Sequence, residues 1–452
     1  MQDLEQLRRW DVDHLWHPFT QMQVYAASEP IIIERAEGFW LYDACGRRYL
    51  DGISSLWCNV HGHRVPELDQ ALVDQLDKVA HSTLLGLTHI PAIMLARRLV
   101  QVAPPGLTHV FFSDDGATSV EIALKMAFQY YRQRAHPQPQ KTKYLAWAGA
   151  YHGDTLGDVS VGGVPRFHAL FAPLLFPVYR APSPYCYRCP LGLERSTCRE
   201  ACVEEALGLI EAHHRELAAV VIEPLIQCAA GMILFPPGAL RRIREVTRRL
   251  DVLLIADEVA TGFGRTGTLF ACEQEQVTPD FLCLAKGLTG GYLPLAATLT
   301  TDEIYGAFLG RPEEQRTFYH GHTYTGNPLA ASVALANLDL IERSGLLQAL
   351  PHKVQILQKH LQRMATLKHV GEVRQCGLIA GIELVADKAT RHPYPPEQQM
   401  GWQVCHAARA RGVLLRPLGD VVVLFPAPAM PEHLLDWLCD VTYNAIEEVT
   451  EK

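Results

Sequence analysis

Lys286 closes an apolar run, Phe281-Leu282-Cys283-Leu284-Ala285, and is followed at once by Gly287. A lysine at the end of a buried strand is costly to desolvate unless it is used or paired. Desolvation lowers its pKa and makes the amine a nucleophile toward carbonyls. Taken alone, the residue reads as a lysine that reaches water past the strand end. Asp257 closes a second run, VLLIAD. Ligands of open α/β sheets sit beyond the carboxyl ends of the strands, so the two side chains can converge on one pocket.

A buried acid beside a buried lysine is either a plain ion pair or the arrangement a pyridoxal cofactor needs. That cofactor takes a lysine Schiff base and a carboxylate that keeps its ring nitrogen protonated. Gly116-Ala117-Thr118, at the start of a helix expected from Ser119, adds small residues whose backbone N–H groups can face a phosphate. The plain alternative is a helix capped by Thr118 or Ser119 with Glu121 in its first turn. Gly262-Phe263-Gly264-Arg265-Thr266-Gly267 matches G-x-G-x-x-G. It neither follows a strand directly nor opens a clear helix, so it does not read as a dinucleotide site.

Cys186, Cys189, Cys198 and Cys202 are spaced C-x2-C-x8-C-x3-C. Four thiolates this close can close a tetrahedral zinc site, but reduced thiols in an insertion loop are the favoured reading. The pairs His61/His63, His213/His214 and His320/His322 show no carboxylate or cysteine company in sequence and read as loop or surface residues.

The elements that position these residues follow from the pattern of apolar runs. THVFFSD (108–114), KYLAWAG (143–149), LAAVVIEP (217–224), VLLIADE (252–258) and DFLCLAKG (280–287) are buried-strand candidates. Between them, 119–131 and 239–250 carry helical periodicity. Strand–helix alternation predicts an α/β domain with a mostly parallel sheet over 66–335. Beyond it, 336–452 reads as a smaller α+β domain carrying GLIAGIEL, VLLRP and VVVLFP, joined by the N-terminal segment 1–65. Two polar, proline-bearing stretches, Gln133 to Lys143 and Ala386 to Gln398, read as loops.

The chain has 452 residues, 48% hydrophobic and 20% charged, with a formal charge of -8. Mild acidity argues against nucleic acid, which calls for a clustered basic patch. No apolar run reaches a membrane span; Leu217 to Phe235 comes nearest and is broken by Glu223 and Pro224. The N-terminus lacks a basic region followed by an apolar core, so no secretory signal is expected. Twelve cysteines in so long a chain read as reduced thiols, which places the expected compartment in the cytoplasm.

LLIADEVATGFGRTG followed by LAKGLTGGYLP resembles the class III (omega) aminotransferases, which use pyridoxal phosphate. The resemblance covers nearly the whole chain. LWHPFTQM (15–22), DGISSLWCNVHGH (51–63), SDDGATSVEIALKMA (113–127), GAYHGDTLG (149–157), HGHTYTGNPLA (320–330) and VLLRPLGD (413–420) follow in the family's order. It implies fold type I, with a mostly parallel seven-stranded sheet in the large domain and a smaller α+β domain.

The resemblance also implies roles. Lys286 would bond to the cofactor and then act as base in a 1,3-proton shift, and Asp257 would pair with the ring nitrogen. Tyr151 and Val259 would flank the ring, and Glu223 would sit near its hydroxyl. Gly116 and Ala117 would hold the phosphate, Ala117 standing where serine is common. His322 belongs to the same cofactor-binding set, and Thr323 would reach the phosphate from the neighbouring subunit, which implies a homodimer with shared sites. Phe19, Trp57, Tyr151, Arg265, Lys286, Gly321 and Arg416 fall on substrate positions. A planar guanidinium such as that of Arg416 suits a carboxylate. LWHPFTQM and DGISSLW are closest to members that aminate 8-amino-7-oxononanoate in biotin synthesis. S-adenosylmethionine is the implied donor. Lysine is the alternative, because Phe19 lacks the hydroxyl of the tyrosine usual there. Aminotransferases acting on 4-aminobutyrate, ornithine or a polyamine stay open, as does an aminomutase.

Overall fold

The structure is a computed structural model that describes residues 3–451. After two helices, Leu4–His14 and Met22–Ala26, come three short strands: β1 (Ile33–Glu37), β2 (Trp40–Asp43) and β3 (Arg48–Asp51). The next nine are β4 (Leu107–Ser113), β5 (Lys143–Trp147), β6 (Tyr179–Ala181), β7 (Leu217–Ile222), β8 (Ile226–Gln227), β9 (Ile233–Leu234), β10 (Leu253–Asp257), β11 (Phe281–Leu284) and β12 (Ala296–Thr301). The last five are β13 (Val370–Cys376), β14 (Ile379–Leu384), β15 (Val413–Leu414), β16 (Arg416–Leu418) and β17 (Val421–Leu424).

Burial on both faces explains the central sheet. Every residue of β7, β10 and β11 is buried. Leu253 and Ile255 pack into one layer, with Val120, Leu124 and Ala127 of the Gly116–Gln133 helix. Leu254 and Ala256 pack into the opposite layer, with Leu240 and Ile243 of the Ala239–Arg249 helix. Unbroken apolar strands covered on both sides are what a parallel sheet requires. The seven strands lie in the order β4-β12-β11-β10-β7-β5-β6. β10 pairs parallel with β7 and β11, and β5 pairs parallel with β6 and β7. β12 runs antiparallel to both its neighbours. The predicted seven-stranded, mostly parallel sheet is therefore present.

The smaller sheet has the order β13-β14-β17-β16. The expected single run VLLRP is two strands, because Val413–Leu414 pairs with the N-terminal β3 whereas Arg416–Leu418 pairs with β17. Val413 lies opposite Leu50, and Leu50 and Ile53 are buried in one core with Val413 and Leu438. The Pro328–Arg343 helix, capped by the Asn327 side chain, crosses positions 335–336 unbroken. Among the described residues no helix is long and apolar enough to cross a membrane.

Candidate active site

Four parallel strands deliver their chemistry at their carboxyl ends. Asp257 is the last residue of β10, Glu223 follows β7, Lys286 lies two residues past β11, and Tyr151 lies in the loop after β5. All four line one cavity of about 820 Å³, together with Gly116, Ala117, Val259, Phe19, Trp57 and Arg416. This is the crevice the strand-end rule anticipates.

Asp257 is 5% exposed, and both its oxygens are engaged. His152 Nδ1 lies 2.7 Å from Oδ2, and the Val259 N–H donates to Oδ1 at 3.0 Å. An ionised carboxylate only accepts, so the imidazole donates from Nδ1. His152 Nε2 is buried without a partner among the described residues. His152 lies in the GAYHGDTLG motif, but nothing in its sequence position marks it as the partner of Asp257.

Glu223 accepts the Tyr151 N–H at 3.1 Å and the Cys228 N–H at 2.9 Å. Burial pushes its carboxyl up to about 7, Asp257 adds to this, and His152 and the two N–H groups oppose it. Lys286 has a left-handed backbone, φ 45°, at the start of a short 3-10 turn. Desolvation lowers its pKa, against the opposing pull of Cys228, Asp257, Glu223 and Cys58. A larger share of neutral amine results, as a nucleophile requires. Burial raises the Tyr151 pKa, and its hydroxyl, donated to Asp154 Oδ2 at 2.8 Å, adds to the rise.

The Gly116–Gln133 helix starts one turn earlier than expected. Its cap is Asp115, not Thr118 or Ser119. Asp115 Oδ1 accepts the Thr118 N–H at 2.9 Å, and the Asp115 N–H donates to Thr118 Oγ1 at 3.2 Å. That reciprocal pair fixes the helix start at Gly116. A side chain at Gly116 would meet Val259 Cγ1 at 2.6 Å, so only glycine lets Val259 pack there. Gly153, at φ +135°, brings its loop so close that a Cβ would lie 2.4 Å from that of Ala117. The result is a narrow cradle at a helix N-terminus, beside a carboxylate and a desolvated lysine. These donors fit a ring with a phosphate, a pyridine nitrogen and an aldehyde.

Four predicted residues do not join the cavity wall. Gly321 and Thr323 are exposed in the segment before the Pro328–Arg343 helix. His322 Nδ1 lies 3.0 Å from Asp114, which does line the cavity. Arg265 is a correction. It is 1% exposed and lies behind the wall. Its guanidinium is occupied by Pro426 O at 2.7 Å, Asn59 O at 2.6 Å and Ser54 Oγ at 3.2 Å. Arg416 is half-buried on β16 and faces the cavity.

The histidine pairs are also corrected. His63 lies 3.1 Å from Asp51, His213 3.1 Å from Glu216, and His322 3.0 Å from Asp114, so each pair does have carboxylate company. His61 is held at about 4, chiefly by burial. Cys186, Cys189 and Cys198 are half-buried free thiols between β6 and the Ala201–His213 helix, and Cys202 is a fourth in that helix's first turn. Among the described residues, no group of three or more His, Cys, Asp or Glu side chains is placed to hold a metal ion.

Residues 22–446 match the family model for "Aminotransferase class-III". The chain is 52% identical over 449 residues to the adenosylmethionine-8-amino-7-oxononanoate aminotransferase of Geobacter sulfurreducens, covering 99% of each. It is 50% identical over 451 residues to that of Aquifex aeolicus, covering 100% of this chain and 99% of the relative. The crystal structure of the Methanocaldococcus jannaschii enzyme of the same name superposes with a TM-score of 0.94 at 46% identity, over 99% of this chain and 100% of the other.

Proposed function

The chain belongs to the class-III aminotransferases, and we propose that it transfers an amino group to 8-amino-7-oxononanoate in biotin synthesis, with pyridoxal phosphate as cofactor. The observation that carries this reading is the end-to-end identity of about half the residues to relatives named for that reaction. The cavity agrees with it. A long acceptor with a distal carboxylate needs an apolar wall and one forked cation. Trp57 and Phe19 line the wall, and the Arg416 guanidinium faces the cavity without donating a side-chain hydrogen bond to any of the described residues.

When bound, pyridoxal phosphate supplies a conjugated ring that takes up electron density from the substrate carbon. The chain's part is positional and protonic. Backbone N–H groups at Gly116 and Ala117 would hold the phosphate. Asp257, aimed by His152 and the Val259 N–H, would keep the ring nitrogen protonated. Tyr151 and Val259 would confine the ring. Lys286, its pKa lowered by desolvation, would be the amine that holds the cofactor and the base that takes a proton from the substrate. Glu223 would serve the ring hydroxyl. Arg416 would bind the acceptor's carboxylate bidentately.

The donor we favour is S-adenosylmethionine, with lysine second. Phe19 stands 5.3 Å from Phe167, edge to face, as an apolar wall without a hydroxyl. A homodimer is part of the reading. Leu85, Ile90 and Tyr319 are 89%, 77% and 81% exposed, large apolar surfaces a second copy would cover. Gly321, His322 and Thr323 would then complete the partner's site. The twelve free thiols support a reducing, cytoplasmic setting.

A half-reaction screen tests the assignment. Holoenzyme is mixed with S-adenosylmethionine, lysine, 4-aminobutyrate, ornithine and a polyamine in turn, and the cofactor absorbance is followed. The aminated enzyme is then mixed with 8-amino-7-oxononanoate. The expected result is conversion by S-adenosylmethionine and return by the oxo acid. Conversion by lysine alone would replace the donor. Failure of the oxo acid to restore the starting spectrum would overturn the proposed acceptor.

A further inference from the structure

The backbone around Trp57 is bent into conformations that L-residues avoid. Ser54 has φ 51°, Ser55 φ 62° with ψ −77°, and Trp57 φ 64°. Such residues persist only where their surroundings over-determine them, and they gather at functional sites. Here the surroundings are two clamps. Asp51, 3% exposed, takes the Ser55 N–H on its two oxygens at 2.8 and 2.7 Å and the Ser55 hydroxyl at 3.0 Å. His63 Nε2 lies 3.1 Å from the same carboxylate. From the other side, Arg265 holds Ser54 Oγ and Asn59 O, and the Ser54 hydroxyl donates to Phe425 O at 2.5 Å.

What the clamps hold in place is an indole. Its ring stacks on Phe425, centroids 5.1 Å apart and planes at 14°. Lys286 Nζ lies 5.0 Å from the centroid of that indole. The other groups facing the lysine are Cys228, Asp257, Glu223 and Cys58. Both carboxylates are already aimed elsewhere, Asp257 by His152 and Val259, and Glu223 by Tyr151 and Cys228. An aromatic face attracts an ammonium, most strongly for tryptophan and where water is excluded.

We propose that Trp57 is a positioning residue for Lys286: its indole face holds the lysine's ammonium form whenever the amine is free, and Asp51 with His63 acts through the strained loop to keep that face in place. The step is a protonation alone, with the proton taken from water or returned by the substrate carbon. The inference rests on Lys286 being the amine that bonds to the cofactor. It adds a role for Trp57 beyond lining the acceptor wall.

The test is competitive acetylation of the apoenzyme with acetic anhydride across a pH series, the Lys286 peptide being read by mass spectrometry against exposed Lys359. Trp57→Leu should lower the Lys286 midpoint by about 0.4–1.5 pH units, a rise of about three- to thirtyfold in free amine below the midpoint. Trp57→Phe, which keeps an aromatic face, should return most of that shift. Asp51→Asn, which sets an amide N–H against the Ser55 N–H, should fall between wild type and Trp57→Leu. Circular dichroism confirms that each variant is folded. An unchanged or raised midpoint in Trp57→Leu overturns the proposal. A wild-type midpoint in Asp51→Asn removes Asp51 and His63 from it. Borohydride reduction of the holoenzyme with peptide mapping checks the underlying reading separately. Cofactor fixed to another lysine would sink the function assignment, whatever the midpoints do.

Discussion

Replacing Asp257 by asparagine isolates the charge at the ring nitrogen from the geometry around it. The pocket can absorb the change in shape. The asparagine oxygen keeps the Val259 N–H, now at 3.0 Å from Oδ1. Its amide can donate to His152 Nδ1 if the imidazole moves its proton to Nε2, a buried atom that has no partner to lose. The fold and the cofactor's seat are therefore expected to survive. What goes is a full negative charge. A carboxylate about 3 Å from a ring cation gains about 5 kcal/mol at an effective dielectric of about 20. A neutral hydrogen bond restores about 1 kcal/mol. The remaining deficit of about 4 kcal/mol corresponds to about a thousandfold in rate. Stopped-flow absorbance of a single half-reaction under saturating donor measures it directly, with borohydride trapping to show that the cofactor is still in place. A loss smaller than tenfold would refute the reasoning and make Asp257 a structural acid.

Arg416→Ala should slow the oxo-acid half-reaction by at least a hundredfold, since a bidentate carboxylate contact is worth about 3 kcal/mol. Equal losses with a donor that keeps its carboxylate elsewhere would indicate a packing defect instead. Lys286→Ala should abolish turnover while leaving cofactor bound noncovalently, read by dialysis and absorbance; measurable turnover would remove the lysine from the mechanism. Glu258 is fully buried, accepts the Ala271 and Cys272 N–H groups, and is pushed up by burial to about 7. Because its folded pKa lies above its unfolded one, the native state keeps a proton that the unfolded chain has released. Stability falls as pH rises from about 4.5 to about 7. Thermal midpoints of the apoenzyme should therefore drop across that window, and Glu258→Gln should flatten the drop; an unchanged slope would show that another group titrates there.

The strands of the large sheet were legible because burial on both faces leaves an unbroken apolar run, and VLLIAD and DFLCLA carry that mark. Lys286 and Asp257 stood out because each ends such a run. What stayed hidden depends on partners remote in the chain. His152 meets Asp257 across 105 positions. Arg265 stood among the substrate positions through the family resemblance, yet it is clamped by carbonyls 161 and 206 positions away. The helix start was displaced because Asp115 reads equally well as the end of the preceding loop. VLLRP looked like one strand because apolar spacing does not say which neighbour a segment pairs with.

The pairing of β3 with β15 joins the two ends of the polypeptide beside the cavity. Phe19 and Trp57 come from the first sixty residues and Arg416 from the last forty, while Asp257 and Lys286 come from the middle. On the proposed roles, choice of substrate and handling of electrons draw on different stretches of the chain, with Trp57 touching both. Exchanges at Phe19 or Arg416 would then alter the acceptor while leaving Asp257 and Lys286 in place, and a chain shortened only as far as Phe19 would keep its reactive floor, Trp57 included, yet lose part of its selectivity.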